Sequence, residues 1–307
     1  MKKTEDCFLK VKNDYLKFLN KEKIFNKSTA DKIISLKKIY IPISFWIEDK
    51  YKKKGKTLFL GFSGGQGSGK TTVAKILKII LKKFFKRKIH VSYIDDFYKT
   101  LKDRNKMSYT THPLFKTRGV PGTHDINLVK KFFYFIKKKK FEKTKLPKFD
   151  KSIDDRLKKK YWYNIKERPE IVILEGWCVG AKPQSNSLIK KPINILEKYE
   201  DKNLIWRKHI NERLKREYKK LFEMIDCYIF MKIPNFHMVF KWRLLQENKL
   251  RKKSHLKKKI MSYKELKRFI MFYQRITLQM IKDLSKSASI VMLLNKNHEI
   301  KKVLFKS

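Results

Sequence analysis

The eight residues GGQGSGKT, from Gly64 to Thr71, constrain the fold of this chain more than any other segment. They match the P-loop pattern G-x-x-x-x-G-K-[ST], which requires a strand before it and a helix after it. The apolar run TLFLGF at 57–62 predicts that strand, and apolar residues at helical spacing from Lys70 to about Phe85 predict the helix. The segment is therefore predicted to be a nucleotide-binding loop rather than a glycine-rich turn.

Glycine is confined to one part of the chain. All ten glycines lie between Gly55 and Gly180, six of them between Gly55 and Gly69, two in RGVPG and two in EGWCVG. A chain that otherwise does without glycine keeps it where backbone geometry excludes a Cβ atom. The chemistry of the protein is expected in these three clusters.

Apolar runs and helical patterns alternate beyond the P-loop. Further strands are predicted at 89–95, 171–176, 227–233 and 289–294, with helical patterns near 125–140, 201–224, 235–253 and 262–285. Strands that alternate with helices predict an α/β fold, a three-layer α/β/α P-loop domain with a parallel five-strand core sheet and its ligand at the carboxyl ends of the strands. Residues 1–50 have apolar positions at roughly helical spacing and predict a helical appendage.

The P-loop residues have defined roles in phosphoryl transfer. The loop N–H groups and the helix N-terminus bind the β- and γ-phosphates of ATP, Lys70 neutralises charge on the transferred group, and the Thr71 hydroxyl ligates Mg²⁺. The third predicted strand ends in Glu175, and an acid after an apolar run is the arrangement in which a carboxylate holds Mg²⁺ directly or through water. The alternative is that Glu175 caps the following segment. The predicted nucleotide-binding residues are Gly64, Gly65, Gln66, Gly67, Ser68, Gly69, Lys70, Thr71 and Thr72.

Two adjacent carboxylates, Asp95 and Asp96, follow the second predicted strand. Such a pair beside a phosphate site is electrostatically costly unless a metal or a substrate hydroxyl uses it. One of the two is expected to act as the base that orients and deprotonates the acceptor hydroxyl. Side chains alternate along a strand, so only one should face the phosphate. The alternative is a solvated turn or a helix cap.

A polar stretch, HPLFKTRGVPGTHD at 112–125, supplies candidate residues for the acceptor. Arg118 is suited to bind a carboxylate through two hydrogen bonds, and His124 and Asp125 are suited to bond the hydroxyl groups of a polyol. A cap on the helix that begins there is the alternative for Asp125. Arg156, in a mixed-charge loop, is a further candidate, with surface ion pairing as its alternative.

Arg243 lies on the helix predicted after the fourth strand. It is a candidate lid arginine that would stabilise charge on the transferring phosphoryl group, and Arg251 is a weaker candidate. In so basic a chain, the alternative for Arg243 is a solvated side chain without a catalytic role.

Several motifs together resemble those of one kinase family. The set GGQGSGKTT, IDDFYKT, HPLFKTRGVPGTHD, LPKFDKS, DDR, ILEGWCVGA and WRLLQE, followed by MSYKELKRFIMFYQRIT, is similar to the D-glycerate 3-kinase family in its bacterial form. That family is similar in turn to the uridine kinase, phosphoribulokinase and pantothenate kinase superfamily of P-loop kinases. The resemblance covers about residues 55–295. It implies ATP-dependent phosphorylation of glycerate to 3-phosphoglycerate with Mg²⁺.

The resemblance also implies roles for individual residues. By position, the aspartate of the superfamily's D-x-F-Y motif falls on Asp95, which makes Asp95 the base. Asp96 is the second choice, and Asp96 and Tyr98 in the same motif are expected to contact the substrate. The superfamily's acid after the third strand falls on Glu175, and its lid arginine falls on Arg243.

Two ranges organise the chain in this prediction. Residues 1–54 form a helical N-terminal extension, and residues 55–307 form a P-loop kinase domain with a helical lid. The chain departs from the plant-type family pattern between Ser152 and Asp154, where a longer glycine-bearing loop is missing. That loop flanks the predicted substrate pocket, so the departure bears on acceptor specificity.

The net charge raises a different class of function. The chain has 78 Lys and Arg residues against 29 Asp and Glu residues, a formal charge of +49, and clustered basic surfaces bind nucleic-acid backbones through counterion release. The lysines are instead spread over the length, without the interleaved aromatic and basic residues of a nucleic-acid platform. No specific nucleic-acid partner is therefore expected, and a nucleic-acid-associated NTPase is the alternative from another class.

A kinase for another small alcohol, such as a nucleoside, pantothenate or a sugar acid, is the alternative among enzymes.

Composition also bears on location. Lysines interrupt every long apolar stretch, so no membrane span is predicted, and the N-terminal sequence lacks the apolar region of a signal peptide. Three cysteines, Cys7, Cys178 and Cys227, share no disulfide or metal-ligand spacing, which suits a reducing compartment. The cytoplasm is therefore the expected location.

Overall fold

Five parallel strands and one antiparallel strand form the central sheet of the protein. A computed structural model describes residues 2–23, 28–253 and 261–306. The strands are β1 Leu58–Gly64, β2 Ile89–Tyr93, β3 Thr144–Leu146, β4 Phe149–Asp150, β5 Asp155–Arg156, β6 Tyr163–Ile165, β7 Ile171–Gly176, β8 Cys227–Lys232, β9 Ile290–Leu294 and β10 Ile300–Phe305. The sheet order is β10-β9-β8-β1-β7-β2, with β10 antiparallel to β9 and every other neighbouring pair parallel. The predicted five-strand parallel core is confirmed, and β10 is an added edge strand that the sequence pattern did not predict.

Helices cover both faces of this sheet. They are α1 Lys2–Lys21, α2 Thr29–Ser35, α3 Ile41–Lys54, α4 Lys70–Lys83, α5 Leu101–Thr110, α6 Ile126–Lys137, α7 Asn186–Lys190, α8 Ile195–Tyr199, α9 Ile205–Arg213, α10 Lys219–Phe222, α11 His237–Lys253 and α12 Tyr263–Ser287. The predicted P-loop helix is α4, and the four later helical patterns correspond to α6, to α9 with α10, to α11 and to α12. Within the described ranges, none of these helices has the length and apolar character that crossing a bilayer requires.

Alternation along β1 divides its side chains between the two faces of the sheet. Phe59 packs on one face against Phe133 of α6, with ring centroids 4.5 Å apart. Leu60 and Phe62 lie on the other face, in a buried cluster with Leu77 of α4. Every residue of β1 is buried, as expected for a parallel strand that is covered on both sides. The three-layer α/β/α arrangement is confirmed.

The N-terminal helices pack directly against the P-loop helix. Phe8 and Val11 of α1 form one buried apolar cluster with Ile80 of α4. α3 ends at Gly55, whose φ of +66° lies in the left-handed region that glycine adopts without strain. The boundary predicted after residue 54 therefore coincides with a helix end, and a separate unit before that boundary stays a prediction.

Two short antiparallel ribbons, β3 with β6 and β4 with β5, lie close to the end of β2. The Phe149 N–H in β4 donates to the Asp96 side chain at 3.2 Å. Lys151, directly after β4, reaches Asp95. These ribbons, which the sequence pattern did not predict, bring the LPKFDKS segment to the carboxyl end of β2.

Candidate functional site

The P-loop lies between the end of β1 and the start of α4. Gly67 and Gly69 have φ values of +73° and +91°, which residues with side chains rarely adopt. A Cβ atom at Gly64 would lie 2.8 Å from the carbonyl oxygen of Met231 on the neighbouring strand β8, so backbone packing excludes a side chain there. The loop ends at the N-terminus of α4, where free N–H groups favour an anion. This backbone has the form that a phosphate site requires.

Lys70, Thr71 and Glu175 meet at the start of α4. The Thr71 hydroxyl donates to Glu175 Oε2 at 2.8 Å, and the Lys70 ammonium lies 4.0 Å from Glu175 Oε1. Lys70 also donates to the carbonyl oxygen of Gly65 at 3.0 Å. Burial lowers the pKa of Lys70, although the charge of Glu175 opposes this, and burial raises the pKa of Glu175. Two oxygen groups that can ligate a metal ion, the Thr71 hydroxyl and the Glu175 carboxylate, therefore lie with the Lys70 ammonium beside the glycine-rich loop.

Buried polar atoms without partners line the same loop. The Ser68 hydroxyl and Gln66 Oε1 have no hydrogen-bond partner in the described part of the chain, and Ser68 is 1% exposed. Buried polar atoms of native proteins are nearly always bonded to protein or water. These two atoms are therefore available to a ligand. Thr72, the last predicted nucleotide-binding residue, follows in the first turn of α4.

Of the two adjacent aspartates, Asp95 is the one whose charge acts on Lys70 of the P-loop. It sits on a 3-10 turn after β2 and accepts hydrogen bonds from the Tyr98 hydroxyl at 2.8 Å and the Lys151 ammonium at 2.7 Å. It also interacts electrostatically with Lys70. Burial would raise the pKa of Asp95, but the charge and hydrogen bond of Lys151, together with His124 and the hydrogen bond from Tyr98, outweigh burial and lower the pKa to about 2. The carboxylate is therefore ionised at neutral pH.

Asp96 has different surroundings from its neighbour. It accepts a hydrogen bond from the Phe149 N–H at 3.2 Å and lines a cleft along the outer edge of β2. Burial raises its pKa to about 6, and the charge of Asp95 acts in the same direction. The two adjacent carboxylates therefore differ in partner, in charge state and in the surface that they line.

His124 is buried close to Asp95 and has one ring nitrogen unpaired. Its ring stacks on Tyr98 with centroids 4.6 Å apart, and its Nδ1 lies 2.7 Å from the Tyr218 hydroxyl. Nε2 has no hydrogen-bond partner among the described residues. Burial lowers the pKa of His124 to about 4, so the ring is neutral at pH 7. The Gly122 N–H donates to Tyr218, so the Tyr218 proton is available to Nδ1, and the ring proton then resides on Nε2 as a donor.

Two arginines predicted for the acceptor form ion pairs with nearby aspartates. Arg118 pairs with Asp154, and Arg156 pairs with Asp125 at 3.4 Å. Asp125 is also the N-cap of α6, where it accepts from the Leu128 N–H at 3.3 Å. The capping alternative that the sequence suggested for Asp125 is thus present in the structure, together with the ion pair.

Arg243 lies on α11, the helix that contacts the P-loop. Its guanidinium pairs with Glu247 at 2.7 Å and donates to Gln246 at 2.9 Å. Its Nε has no hydrogen-bond partner among the residues that the structure describes. The Arg251 side chain and the segment 254–260 lie outside the described residues.

Lys151, Tyr218 and Tyr273 contact the site although sequence analysis gave them no role. Tyr273 on α12 is buried, and burial followed by the charge of Asp95 raises its pKa. The only sequence signal for Lys151 is its place in the motif LPKFDKS. Tyr218 has no such signal, because it is 94 positions from its partner His124.

Comparisons with known proteins found relatives that are kinases. No protein-family model matches the chain. The chain is 30% identical over 247 residues to the uncharacterized kinase mug58 of Schizosaccharomyces pombe, which covers 78% of this chain and 86% of that protein. It is 29% identical over 229 residues to the chloroplastic D-glycerate 3-kinase of Arabidopsis thaliana, which covers 69% of this chain and 48% of that protein. Among solved structures, D-glycerate 3-kinase from Cryptococcus neoformans var. grubii is similar with a TM-score of 0.68 and 26% identity, over 82% of this chain and 90% of that one.

Proposed function

This chain belongs to the D-glycerate 3-kinase family of P-loop kinases, and from that premise we propose that it transfers the γ-phosphoryl group of ATP to the 3-hydroxyl of D-glycerate. Kinase activity with a hydroxyl group as acceptor follows from its relatives. The observation that carries the choice of acceptor is the contact between Lys151 and Asp95, an ammonium and a carboxylate 2.7 Å apart. D-Glycerate has a carboxylate for the first group and a hydroxyl for the second.

The P-loop binds the nucleotide in this proposal. Loop N–H groups and the Ser68 hydroxyl donate to phosphate oxygens, and Lys70 lies against the transferred group. The Thr71 hydroxyl and the Glu175 carboxylate fit Mg²⁺, because kinases hold this ion through one or two protein oxygens and the nucleotide phosphates. When bound, Mg²⁺ supplies neutralising charge to the phosphates.

Asp95 orients the acceptor hydroxyl and accepts its proton. The low pKa keeps the carboxylate ionised, so it accepts a hydrogen bond from the hydroxyl and directs the oxygen toward the γ-phosphorus. The proton passes from the hydroxyl oxygen to Asp95 as the new O–P bond forms and the bond to the β-phosphate oxygen breaks. A loose transition state has little bonding to the attacking oxygen, so a weakly basic carboxylate is sufficient.

Lys151 and His124 bind the acceptor in this proposal. The Lys151 side chain is 61% exposed, so a second carboxylate can reach its ammonium without breaking the contact with Asp95. The unpaired Nε2 of His124 is a buried donor suited to an acceptor oxygen. Arg118 and Arg156 are already in ion pairs with Asp154 and Asp125, so each would bind an anionic acceptor by exchanging its aspartate for the acceptor carboxylate.

The remaining predicted contacts need rearrangement or act through other residues. Tyr98 holds Asp95 in place through its hydroxyl, so we assign it a positioning role beside the acceptor. The Arg243 nitrogen that binds Glu247 would donate to the transferred phosphoryl by exchanging Glu247 for phosphate oxygens, and its Nε is already unpaired within the described residues. The roles in acceptor binding proposed for Asp96 and Asp125 rest on their motifs.

The cytoplasm as location is a proposal from cysteine usage. All three cysteines are free and buried, which agrees with a reducing compartment. The relative from Arabidopsis thaliana is chloroplastic. We propose a small-molecule substrate and no nucleic-acid or membrane partner.

Identification of the product tests this proposal. Purified protein with Mg²⁺ and ATP labelled at the γ-phosphate is offered D-glycerate, L-glycerate, pantothenate, uridine or no acceptor, and products are identified by mass spectrometry and phosphorus NMR. We expect label in 3-phosphoglycerate when D-glycerate is the acceptor. Label in a different acceptor would keep the kinase assignment and exclude D-glycerate. ATP hydrolysis that only nucleic acid stimulates would favour the nucleic-acid-associated NTPase.

A further inference from the structure

A cleft of about 390 Å³ runs along the outer edge of β2, on the side of Asp96 rather than Asp95. Lys75 and Lys78 of α4 line one side, and Tyr163 of the β3–β6 ribbon lines another. The volume lies within the range of small-molecule pockets, about 300–1,000 Å³. Of the residues to which the kinase reaction was assigned above, the cleft contains Asp96 alone, whose proposed acceptor contact rests on its motif.

Lys78 is a half-buried cation without an anionic partner. Among the described residues, no carboxylate lies within ion-pair distance of its ammonium, and burial followed by the charge of Lys82 lowers its pKa. Lys75, one turn earlier on the same helix face, pairs with Glu22 at 2.8 Å. Partial burial of an uncompensated ammonium costs free energy, which an anion in the cleft would offset.

The other ionisable groups of the cleft leave this positive charge in place. Burial, followed by the charge of Lys78, lowers the pKa of His90 to about 4, so His90 is neutral at pH 7. Asp96 is the acidic residue that lines the cleft. Asp96 accepts a hydrogen bond from the Phe149 N–H, and the charges of Asp95, Lys151 and Lys148 act on it. Within the described residues, Asp96 forms no ion pair with Lys75 or Lys78.

The part of the cleft away from the lysines is apolar and aromatic. Leu146 and Pro147 line it together with the rings of Tyr93 and Tyr163. Tyr163 is 41% exposed, so its ring is accessible from solvent. Aromatic and proline side chains provide flat apolar surfaces against which a planar organic group packs.

We propose that this cleft is an accessory binding site for a small phosphomonoester with a planar organic part, held by the two α4 lysines at its phosphate and by Tyr93 and Tyr163 at its ring. A phosphate dianion matches two ammonium groups one helical turn apart. The site lies one residue from Asp95 but does not include it. The proposal is therefore independent of which acceptor the enzyme phosphorylates.

Phenyl phosphate is the probe that tests this site. Its binding to the full chain is measured by isothermal titration calorimetry while Mg²⁺ and a non-hydrolysable ATP analogue fill the P-loop. We expect saturable binding to one site, and binding about tenfold weaker in Lys78→Met, which keeps the apolar stem and removes the charge. Methyl phosphate, which lacks the ring, should bind more weakly than phenyl phosphate.

Two matched variants separate this cleft from other basic surfaces. Lys267→Met removes a charge from the exposed side of α12, and Lys151→Met removes one from the acceptor site, so both should bind the probe as the wild type does. Equal weakening in Lys78→Met and Lys267→Met, or loss in Lys151→Met, would overturn the proposal. Absence of wild-type binding at about 10 mM probe, or loss of binding when the ATP analogue is present, would also overturn it.

A crystal soaked with 4-bromophenyl phosphate gives a test that does not depend on a variant. The proposal places the anomalous bromine peak between α4 and the β3–β6 ribbon, near Tyr93 and Tyr163. A peak at the P-loop or on another surface would contradict it.

Discussion

The nucleotide side of the site and the acceptor side are built in different ways. The nucleotide side is one continuous segment, residues 64–72, whose form depends on glycine backbone angles and on the start of a helix. The acceptor side joins Asp95, His124 and Lys151 from three separate segments. The first is specified by local sequence, whereas the second exists only when the β4–β5 ribbon reaches the end of β2. Acceptor selection therefore depends on tertiary packing in a way that phosphate binding does not.

The two sides also differ in how their polar atoms are satisfied before a ligand arrives. On the nucleotide side, the Ser68 hydroxyl and Gln66 Oε1 have no partner within the described residues. On the acceptor side, Asp95 already holds Lys151, and the nearby arginines already hold aspartates. A nucleotide therefore adds hydrogen bonds at these two atoms, whereas an acceptor adds one at His124 Nε2 but must share or replace existing contacts at Asp95 and the arginines. Such exchange favours an acceptor that has both a carboxylate for Lys151 and a hydroxyl for Asp95.

The largest expected effect is a loss of kcat caused by a substitution on the acceptor side. Asp95→Asn keeps the shape of the side chain and removes its charge, so we expect kcat to fall by about 10²–10⁴. Asp96→Asn is the matched comparison, because this neighbouring carboxylate lines a different cleft: loss of an acceptor contact there would raise KM for the acceptor, while kcat should change by about threefold or less. ADP release with saturating substrates measures both. Equal losses in the two variants would contradict the separation of the carboxylates.

The next largest expected effect is a loss of ATP affinity caused by a substitution on the nucleotide side. Gly64→Ala should weaken ATP binding by about tenfold or more, because its Cβ would lie 2.8 Å from the carbonyl oxygen of Met231 and displace the loop. Gly55→Ala is the control, since its φ is +66° but no atom lies within 4 Å of the added Cβ. It should cost about 1 kcal/mol of stability and leave ATP affinity unchanged. Calorimetric ATP titration and thermal unfolding distinguish the two variants, and reduced ATP affinity in Gly55→Ala would oppose this account.

A smaller expected effect is a shift in the pH dependence of kcat/KM when a charge is removed from the acceptor side. Burial tends to raise the pKa of Asp95, and Lys151, with smaller contributions from His124 and Tyr98, reverses this and lowers the pKa to about 2. In Lys151→Met the pKa should rise from about 2 toward its ordinary 3.8, so the acid limb of the pH profile of kcat/KM should move up by about 1 pH unit or more. The pH dependence of ATP affinity should not change. An acid limb in the same position as in the wild type would show that Lys151 does not control Asp95.

The smallest effect concerns stability at the outer edge of β2. Burial raises the pKa of Asp96 from 3.8 to about 6, so the folded state binds this proton more tightly than the unfolded state. The stability that the proton contributes is complete below about pH 4 and is lost as the pH rises through 6. Asp96→Asn should therefore raise the free energy of unfolding by about 1–2 kcal/mol above pH 7 and little at pH 4. Urea unfolding at both pH values measures this difference, and an equal gain at both would contradict it.

Strands and helices that are specified by residues adjacent in the sequence could be predicted from it. β7 has the predicted bounds, Ile171–Gly176, because a buried parallel strand is a continuous apolar run. α4 begins at the predicted Lys70, since the P-loop pattern specifies its own strand and helix. β10 was missed because it is an edge strand with no fully buried residue, so its sequence IKKVLF lacks a continuous apolar run.

The contacts of the acceptor side could be predicted only in part. Asp95 is 56 positions from Lys151, and His124 is 94 positions from Tyr218, so no local pattern pairs them. The sequence left two readings open for Asp125, a helix cap and an acceptor contact, and the structure contains the cap and an ion pair. Residue types pointed to the chemistry, but the partners depend on how the ribbons fold.

The central claim is that Lys151 binds a carboxylate of the acceptor while Asp95 binds its hydroxyl. The most direct measurement compares D-glycerate with glycerol, in which a CH₂OH group replaces the carboxylate, as acceptors for the wild type and for Lys151→Met. ADP release gives kcat/KM for each combination. We predict that the wild type prefers D-glycerate by about tenfold to a hundredfold or more and that Lys151→Met loses most of this preference. An unchanged preference in Lys151→Met, or no D-glycerate-dependent ADP release in the wild type, would contradict the account.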